Sequence, residues 1–168
     1  MDFELSESQT LMHDALGGIF NGFRTMAPGA FGEYLPAPRL DGMLEEGAFF
    51  SVASMEGYGP LDAALMIYEA ARLPVLVEVG ASALVAPMLG ELEIPRPIAL
   101  ADNRAGAIRN LPGARTLFLL EGDEAQIASL EDVEVQELTS VLGYPFGKLA
   151  APDRLVARSL GAGSRKQL

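Results

Sequence analysis

The stretch LDGMLEEGAFFSVASMEGYGPLDAALMIYEAARLPVLVEVGASALVAPML, residues 40–89, sets the organisation of the front of this chain. It predicts a short helix over 39–46 that ends at Gly47, because glycine is common just past a helix end. Pro60 suits the first position of the next helix, where a missing N–H leaves no hydrogen bond unmade. Pro74 would end that helix and begin another. The apolar residues expected on the buried faces of these two helices are Leu61, Ala64, Leu65 and Tyr68, then Val75, Leu76, Val79, Ala83 and Ala86.

The chain before this stretch predicts one amphipathic helix over residues 6–26. Ser6 and Gln9 have the spacing of a capping box, in which each side chain satisfies a free backbone N–H of the other residue. Gly17, Gly18 and Gly22 weaken the helix, and we expect them to let another backbone come close. The apolar residues that recur at helical spacing are Leu11, Met12, Ala15, Leu16, Ile19, Phe20 and Phe23.

The pattern changes after residue 92. Residues 94–102 resemble a strand behind two prolines, and 114–130 predict a hairpin with a Gly-Asp turn. Residues 131–138 alternate acidic and apolar side chains, as a half-buried strand does. The predicted fold class is therefore α+β. An N-terminal all-α bundle (1–92) is followed by a small antiparallel β-barrel-like domain (93–150) and by the start of a C-terminal helix (151–168).

Composition excludes several classes of function. The chain has 168 residues, 23 of them acidic and 12 basic, with a net charge of -11. This balance argues against a nucleic-acid partner and against docking on an anionic membrane. Since there is no cysteine and His13 is the single histidine, thiolate chemistry, disulfides and a histidine metal cluster are excluded. No apolar run reaches the roughly 20 residues of a membrane span, and no secretory signal is visible, so we expect a cytoplasmic protein.

The order of these segments resembles the acyl-CoA dehydrogenase family. The opening MDFELSESQTLMHDAL is similar to the family's Asp-Phe dipeptide, Ser/Thr cap and first helix. Residues 40–89 resemble its second block, and "RPIALAD", "LPGARTLFLLEGD" and "VEVQEL" follow the rhythm of its middle β domain. The resemblance implies α,β-dehydrogenation of an acyl-CoA thioester by an FAD flavoprotein of lipid metabolism. It also implies an electron-transferring flavoprotein as acceptor.

Two departures from the family pattern bear on the site. The segment ALADNRAG, 99–106, stands where the family carries a Thr- and Gly-Ser-containing loop that contacts flavin and substrate. Asp102 and Asn103 are the candidate cofactor-binding residues at that place, although both also suit a simple turn at a strand end. The family's C-terminal bundle, with its catalytic carboxylate, has no counterpart before Leu168, so we assign no catalytic residue and expect the 168 residues alone to be inactive.

Three interpretations therefore stay open. The chain is a fragment or a subunit of an acyl-CoA dehydrogenase-like enzyme, which works as a homo-oligomer or with a partner subunit. Alternatively, it is a complete, non-catalytic assembly subunit that shares the front half of such an enzyme. An unrelated α+β protein is the third interpretation, because the β part matches by rhythm alone.

Other polar residues have simpler explanations. Arg104 and Arg109 could meet a cofactor or CoA phosphate, but in an acidic chain a surface ion pair is the commoner role. We expect structural or surface roles for the remaining candidates, which are Arg158, Arg165, Lys166, Glu45, Glu46, Glu56, Glu69, His13, Ser51 and Ser54.

Overall fold

The computed structural model describes residues 5–27, 29, 35–90, 94–140, 143–162 and 164. The chain divides into two compact units, Met1–Gly90 and Glu91–Leu168. The second unit takes in both the predicted middle domain and residues 151–168. The fold class is α+β, with helices in the first unit and the larger sheets in the second.

Helix α1 (Glu7–Asn21) begins at the predicted capping box. The Gln9 N–H donates to Ser6 Oγ over 3.2 Å, and the Ser6 N–H donates to Gln9 Oε1 over 2.9 Å. The buried side chains on this segment are Met12, Leu16, Phe20 and Phe23. Leu11 and Ala15 are exposed, contrary to the prediction. The expected close approach at Gly17 and Gly18 is also wrong, since a Cβ there would meet nothing within 4 Å.

Helices α2 (Pro38–Glu46) and α3 (Pro60–Ala70) frame a 3₁₀ helix at Phe49–Ser54. The predicted end of α2 at Gly47 and the predicted start of α3 at Pro60 are confirmed. The buried face of α3 is not the predicted one, because Leu61 and Tyr68 are 67% and 62% exposed. The helix buries Asp62, Ala63, Met66 and Ala70 instead.

A buried carboxylate selects this face of α3. Asp62 is 3% exposed, and its Oδ2 accepts the Gly59 N–H over 2.8 Å, which satisfies a free donor at the helix start. Its Oδ1 accepts the side-chain amide of Gln9 over 2.8 Å. Gln9 therefore belongs both to the cap of α1 and to the cap of α3. Since α3 has apolar residues on both faces, this polar link decides which of them packs inward.

The segment after Pro74 corrects the sequence prediction of a helix and of an all-α bundle. Val75–Leu76 forms strand β2, which pairs in parallel with β1 (Leu35–Pro36). Helical structure resumes only as a π-helix at Ala81–Val85 and a 3₁₀ helix at Ala86–Leu89. The carboxylate of Glu78 caps this start by accepting the backbone N–H groups of Ala81 and Ser82 and the Ser82 hydroxyl. The extended residues at 75 and 76 gain hydrogen bonds from β1 that a helix start would not give them.

The second unit contains two sheets. One has the strand order β3 (Ile98–Ala101), β5 (Thr116–Leu119), β6 (Glu124–Ser129) and β9 (Arg158–Ala162). The other has the order β4 (Ile108–Arg109), β8 (Phe146–Leu149) and β7 (Val135–Leu138). The predicted hairpin is confirmed as β5–β6, with Gly122 at φ 62° in the turn. The predicted purely antiparallel arrangement is wrong, because β3 and β5 are parallel. The described strands stay in two sheets and do not close into one barrel.

The predicted C-terminal helix is replaced by a strand. Pro152–Arg154 makes one 3₁₀ turn, and β9 then runs antiparallel to β6. Two side chains tie this pairing, because Ser159 donates to Glu124 over 2.8 Å and the Ser164 hydroxyl accepts the Ala125 N–H over 2.8 Å. Without residues 158–162, the side of β6 away from β5 would have unpaired backbone groups, and pairing with them favours a strand over a helix. Gly161 has φ 101°, which lies outside the helical region. Residues 163 and 165–168, with Arg165 and Lys166, lie outside the described residues.

The two sheets of the second unit share one apolar core. Leu117 and Leu119 of β5 pack with Ile108 of β4 and Leu149 of β8. Gly147 in β8 also lies on the side that faces this core. A Cβ on Gly147 would lie 2.9 Å from Val135 Cγ1 and 3.1 Å from Pro112 Cδ. The packing of the three-stranded sheet therefore requires glycine there.

We predict that Gly147→Ala lowers the free energy of unfolding by about 1–3 kcal/mol, since the added methyl group has no room. Chemical denaturation followed by circular dichroism measures this change. Gly106→Ala is the matched control, because a Cβ at Gly106 would meet nothing within 4 Å. Equal effects of the two substitutions would contradict the packing described for Gly147.

The polar link in the first unit gives a second prediction. Asp62→Ala should cost about 1–3 kcal/mol, because two donors lose their acceptor in a buried place. A double-mutant cycle with Gln9→Ala should give a coupling energy of about 0.5 kcal/mol or more. Asp14→Ala, an exposed acid on α1, is the control and should change little. Additive effects of Gln9→Ala and Asp62→Ala would show that the two caps are independent.

Candidate functional site

A cleft of about 510 Å³ lies in the second unit where β3 ends and β4 begins. Its apolar lining includes Leu100, Leu120 and Phe146. Its polar lining includes Asp102, Asn103 and Arg109. The β3–β4 connection passes from an edge strand of one sheet to an edge strand of the other, so the cleft lies along the edge where the two sheets meet. A volume in this range, with an apolar lining and a few polar groups, is typical of small-molecule sites.

The connection at 102–107 is built as a tight turn. The Asn103 side-chain oxygen accepts the Ala105 N–H over 2.8 Å, which is the hydrogen bond of an Asx turn. Just before the turn, the Leu120 N–H donates to the Ala101 carbonyl over 2.8 Å. These two bonds set the path of the chain beside the cleft.

Arg104 fastens this turn to the β5–β6 hairpin. Its Nη2 lies 2.6 Å from Glu121 Oε2, and its Nε lies 3.0 Å from Glu121 Oε1. The Arg104 backbone N–H also donates to Glu121 Oε1 over 3.2 Å, and Nη2 reaches Gln126 Oε1 over 3.1 Å. Both ion-pair partners are partly buried, and a two-pronged pair of this kind fixes direction as well as distance. Arg104 therefore holds the turn that carries the lining residues Asp102 and Asn103.

Each member of this pair changes the acidity of the other. The hydrogen bond from the Arg104 guanidinium holds the pKa of Glu121 below its ordinary value, against the opposing effect of burial. The hydrogen bond to Glu121 in turn raises the pKa of Arg104, with smaller help from the charge of Asp153. The pair is therefore ionised at neutral pH.

Arg109, unlike Arg104, lines the cleft itself. Its guanidinium carbon lies 4.3 Å from the ring centroid of Tyr144, which is cation–π distance. Arg109 and Phe146 are directly opposite in the β4–β8 ladder, so their side chains share one face of that sheet. This face is opposite to the one where Gly147 meets Val135 and Pro112.

Both predicted cofactor-binding residues, Asp102 and Asn103, line the cleft and are exposed. The surface-pair interpretation is confirmed for Arg104, which meets Glu121. Among the described residues, no ion pair is found for Arg109. The structure does not bring Arg158 to this cleft, since that residue lines a separate depression of about 350 Å³ with Thr116 and Ile127.

The other candidate acids and bases do not form a site. Glu69 binds Arg24 over 3.2 Å and Arg72 over 3.0 Å in the first unit. His13 is exposed on α1. Within the part of the chain that the structure describes, no three metal-binding side chains of the His, Cys, Asp and Glu types come together. No helix there is long and apolar enough to cross a membrane.

Sequence reasoning missed Phe146, which lines the cleft, as well as Glu121 and Tyr144, which contact Arg104 and Arg109. Residues 139–150 have no clean alternation, and β8 begins only at Phe146, so the spacing of Tyr144 and Phe146 does not mark a strand face.

Comparison of the chain with protein-family models, with curated proteins and with solved structures finds no match.

The Arg104–Glu121 pair predicts a pH-dependent contribution to stability. Because the pKa of Glu121 is lowered on folding, the contribution is present above the ordinary glutamate pKa of 4.5 and is lost as the pH falls below it. Glu121→Gln should therefore cost about 1 kcal/mol near neutral pH and progressively less in acid. Urea unfolding across this range measures both values, with the exposed Glu131→Gln as control. A cost that stays constant with pH would show that the carboxylate charge is not the cause.

Proposed function

We propose that this chain is the front part of an acyl-CoA dehydrogenase-like flavoprotein, and that the cleft at the β3–β4 connection contributes to its flavin site. The observation that carries the proposal is the position of Asp102 and Asn103. The family resemblance assigned the flavin-contact loop to 99–106, and Asp102 and Asn103 of that segment line this cleft.

The order of helical elements supports the same proposal. Within residues 40–89, α2 ends at Gly47 and α3 follows the Gly-Tyr-Gly turn, in the order that the resemblance implies, whereas strand β2 stands after α3 where a second helix was expected to begin. The parallel β3–β5 pair and strand β9 depart from the antiparallel sheet and the helix that the sequence led us to expect. The proposal therefore rests on the order of the helices in the first unit and on the cleft, and not on the strand arrangement of the second unit.

The cleft contains the types of side chain that a flavin ring can contact. Leu100, 41% exposed, offers an apolar contact, and Phe146 offers an aromatic one. The Asp102 carboxylate can accept a hydrogen bond from a ring N–H, and the Asn103 amide nitrogen makes no hydrogen bond to a described residue, so it can donate one. FAD, when bound, supplies the acceptor for the hydride that leaves the acyl β carbon.

In this proposal, the residues of this chain bind and orient the ring and do not remove the substrate proton. Asp102 and Asn103 are binding residues, and no residue of the chain has a catalytic role. The carboxylate base comes from a C-terminal bundle, on the same polypeptide or on a partner subunit.

Titration of the purified chain with FAD tests the proposal, with quenching of flavin fluorescence as the readout. We expect binding that Asp102→Ala weakens by about tenfold, the usual effect of one lost hydrogen bond to a charged group. Asp123→Ala is the matched control, since Asp123 is an exposed acid of the same unit outside the cleft. The chain alone should not reduce an electron acceptor in the presence of acyl-CoA thioesters.

Two results would count against the proposal. Turnover by the chain alone would mean that a base has been overlooked. Absence of flavin binding, together with a stable complex between the chain and a partner subunit, would favour the alternative of a non-catalytic assembly subunit.

A further inference from the structure

Arg109 is a cation held in place without a carboxylate partner among the described residues. Arg104, on the turn beside the cleft, is neutralised by Glu121 and bound to Gln126. Arg109 instead stacks on Tyr144 at 4.3 Å, which orients the guanidinium, and no carboxylate of the described residues lies within ion-pair distance of it. Arg109 differs in this from Arg24, Arg72 and Arg104, whose guanidinium groups pair with glutamate carboxylates.

The surroundings of Arg109 suit the flat part of a ligand. Phe146 lies directly across the ladder on the same sheet face, and Leu100 and Leu120 line the same cleft. An aromatic or apolar body in contact with these side chains would come within reach of the guanidinium. The N–H groups of arginine form a planar fork that matches two oxygens of a phosphate.

We propose that Arg109 is the anion anchor of this cleft, and that the cleft takes a phosphate ester of an aromatic heterocycle. The heterocycle contacts Leu100 and Phe146, and the phosphate pairs with Arg109. The inference deepens the proposed function and rests on it for the identity of the ligand. Two sources share this chemistry, the phosphate of a flavin nucleotide and the adenosine phosphate of coenzyme A.

Tyr144 has a defined part in this proposal as a positioning residue. Its ring holds the guanidinium of Arg109 near the cleft, whereas its hydroxyl takes no part in the stacking. Tyr144→Phe should therefore preserve anion binding, and Tyr144→Leu should weaken it.

The experiment measures, on the whole chain, the affinity for two matched pairs of probes. Riboflavin and flavin mononucleotide differ by one phosphate on the same ring system, as adenosine and AMP do. In at least one pair, the phosphate form should bind about tenfold more tightly, the scale of one charge-assisted contact. Arg109→Gln should abolish that preference and leave the affinity of the uncharged probe unchanged.

Arg115→Gln is the matched control, because Arg115 is an exposed arginine of the same unit that does not line the cleft. Far-UV circular dichroism of each variant checks that it is folded. Arg109→Lys keeps the charge and loses the fork, so it should retain part of the preference.

The outcomes separate this inference from the proposed function. A preference for flavin mononucleotide that depends on Arg109 supports both. A preference in the adenosine pair alone keeps the anchor, assigns it to coenzyme A and counts against the flavin site. The inference is overturned if no probe shows a phosphate preference, or if the preference survives Arg109→Gln.

Discussion

The ion pair between Arg104 and Glu121 is the contact on which the arrangement of the second unit's cleft depends. It joins the β3–β4 connection to the β5–β6 hairpin, which belong to different parts of the chain, and it does so through the guanidinium and a backbone N–H together. Without it, Asp102 and Asn103 would sit on a turn held mainly by its own Asx hydrogen bond. The pair therefore has a structural role whose consequence is the shape of a binding surface.

Local signals in the sequence were sufficient where one residue satisfies a nearby backbone group. The capping box of Ser6 and Gln9, the start of α3 at Pro60 and the turn at Gly122 could be predicted in this way. Prediction failed where a distant partner decides. The buried face of α3 depends on Gln9, the strand at Val75–Leu76 depends on Leu35–Pro36, and β9 depends on the open edge of β6.

The residues of the site also divide into those that the sequence could indicate and those that a distant partner positions. Asp102 and Asn103 could be proposed only through the family resemblance, since their short polar side chains suit a strand-end turn in any fold. Phe146 reaches the cleft through strand pairing, and Glu121 and Tyr144 act on it through their contacts with Arg104 and Arg109, none of which periodicity encodes. The residue types of a binding site were therefore visible in part, whereas its geometry required the register of β4 against β8.

Arg104 and Arg109 show why a charge count cannot assign the role of a cation. Five positions apart, both could be interpreted from the sequence as surface arginines with acidic neighbours. The structure gives Arg104 a carboxylate with two oxygens in reach and gives Arg109 an aromatic ring. An ion pair within the chain uses up the ability of a guanidinium to bind an external anion, whereas stacking on a ring leaves its hydrogen-bond donors available. The same residue type thus holds the turn beside the cleft at one position and lines the cleft, available to a ligand, at the other.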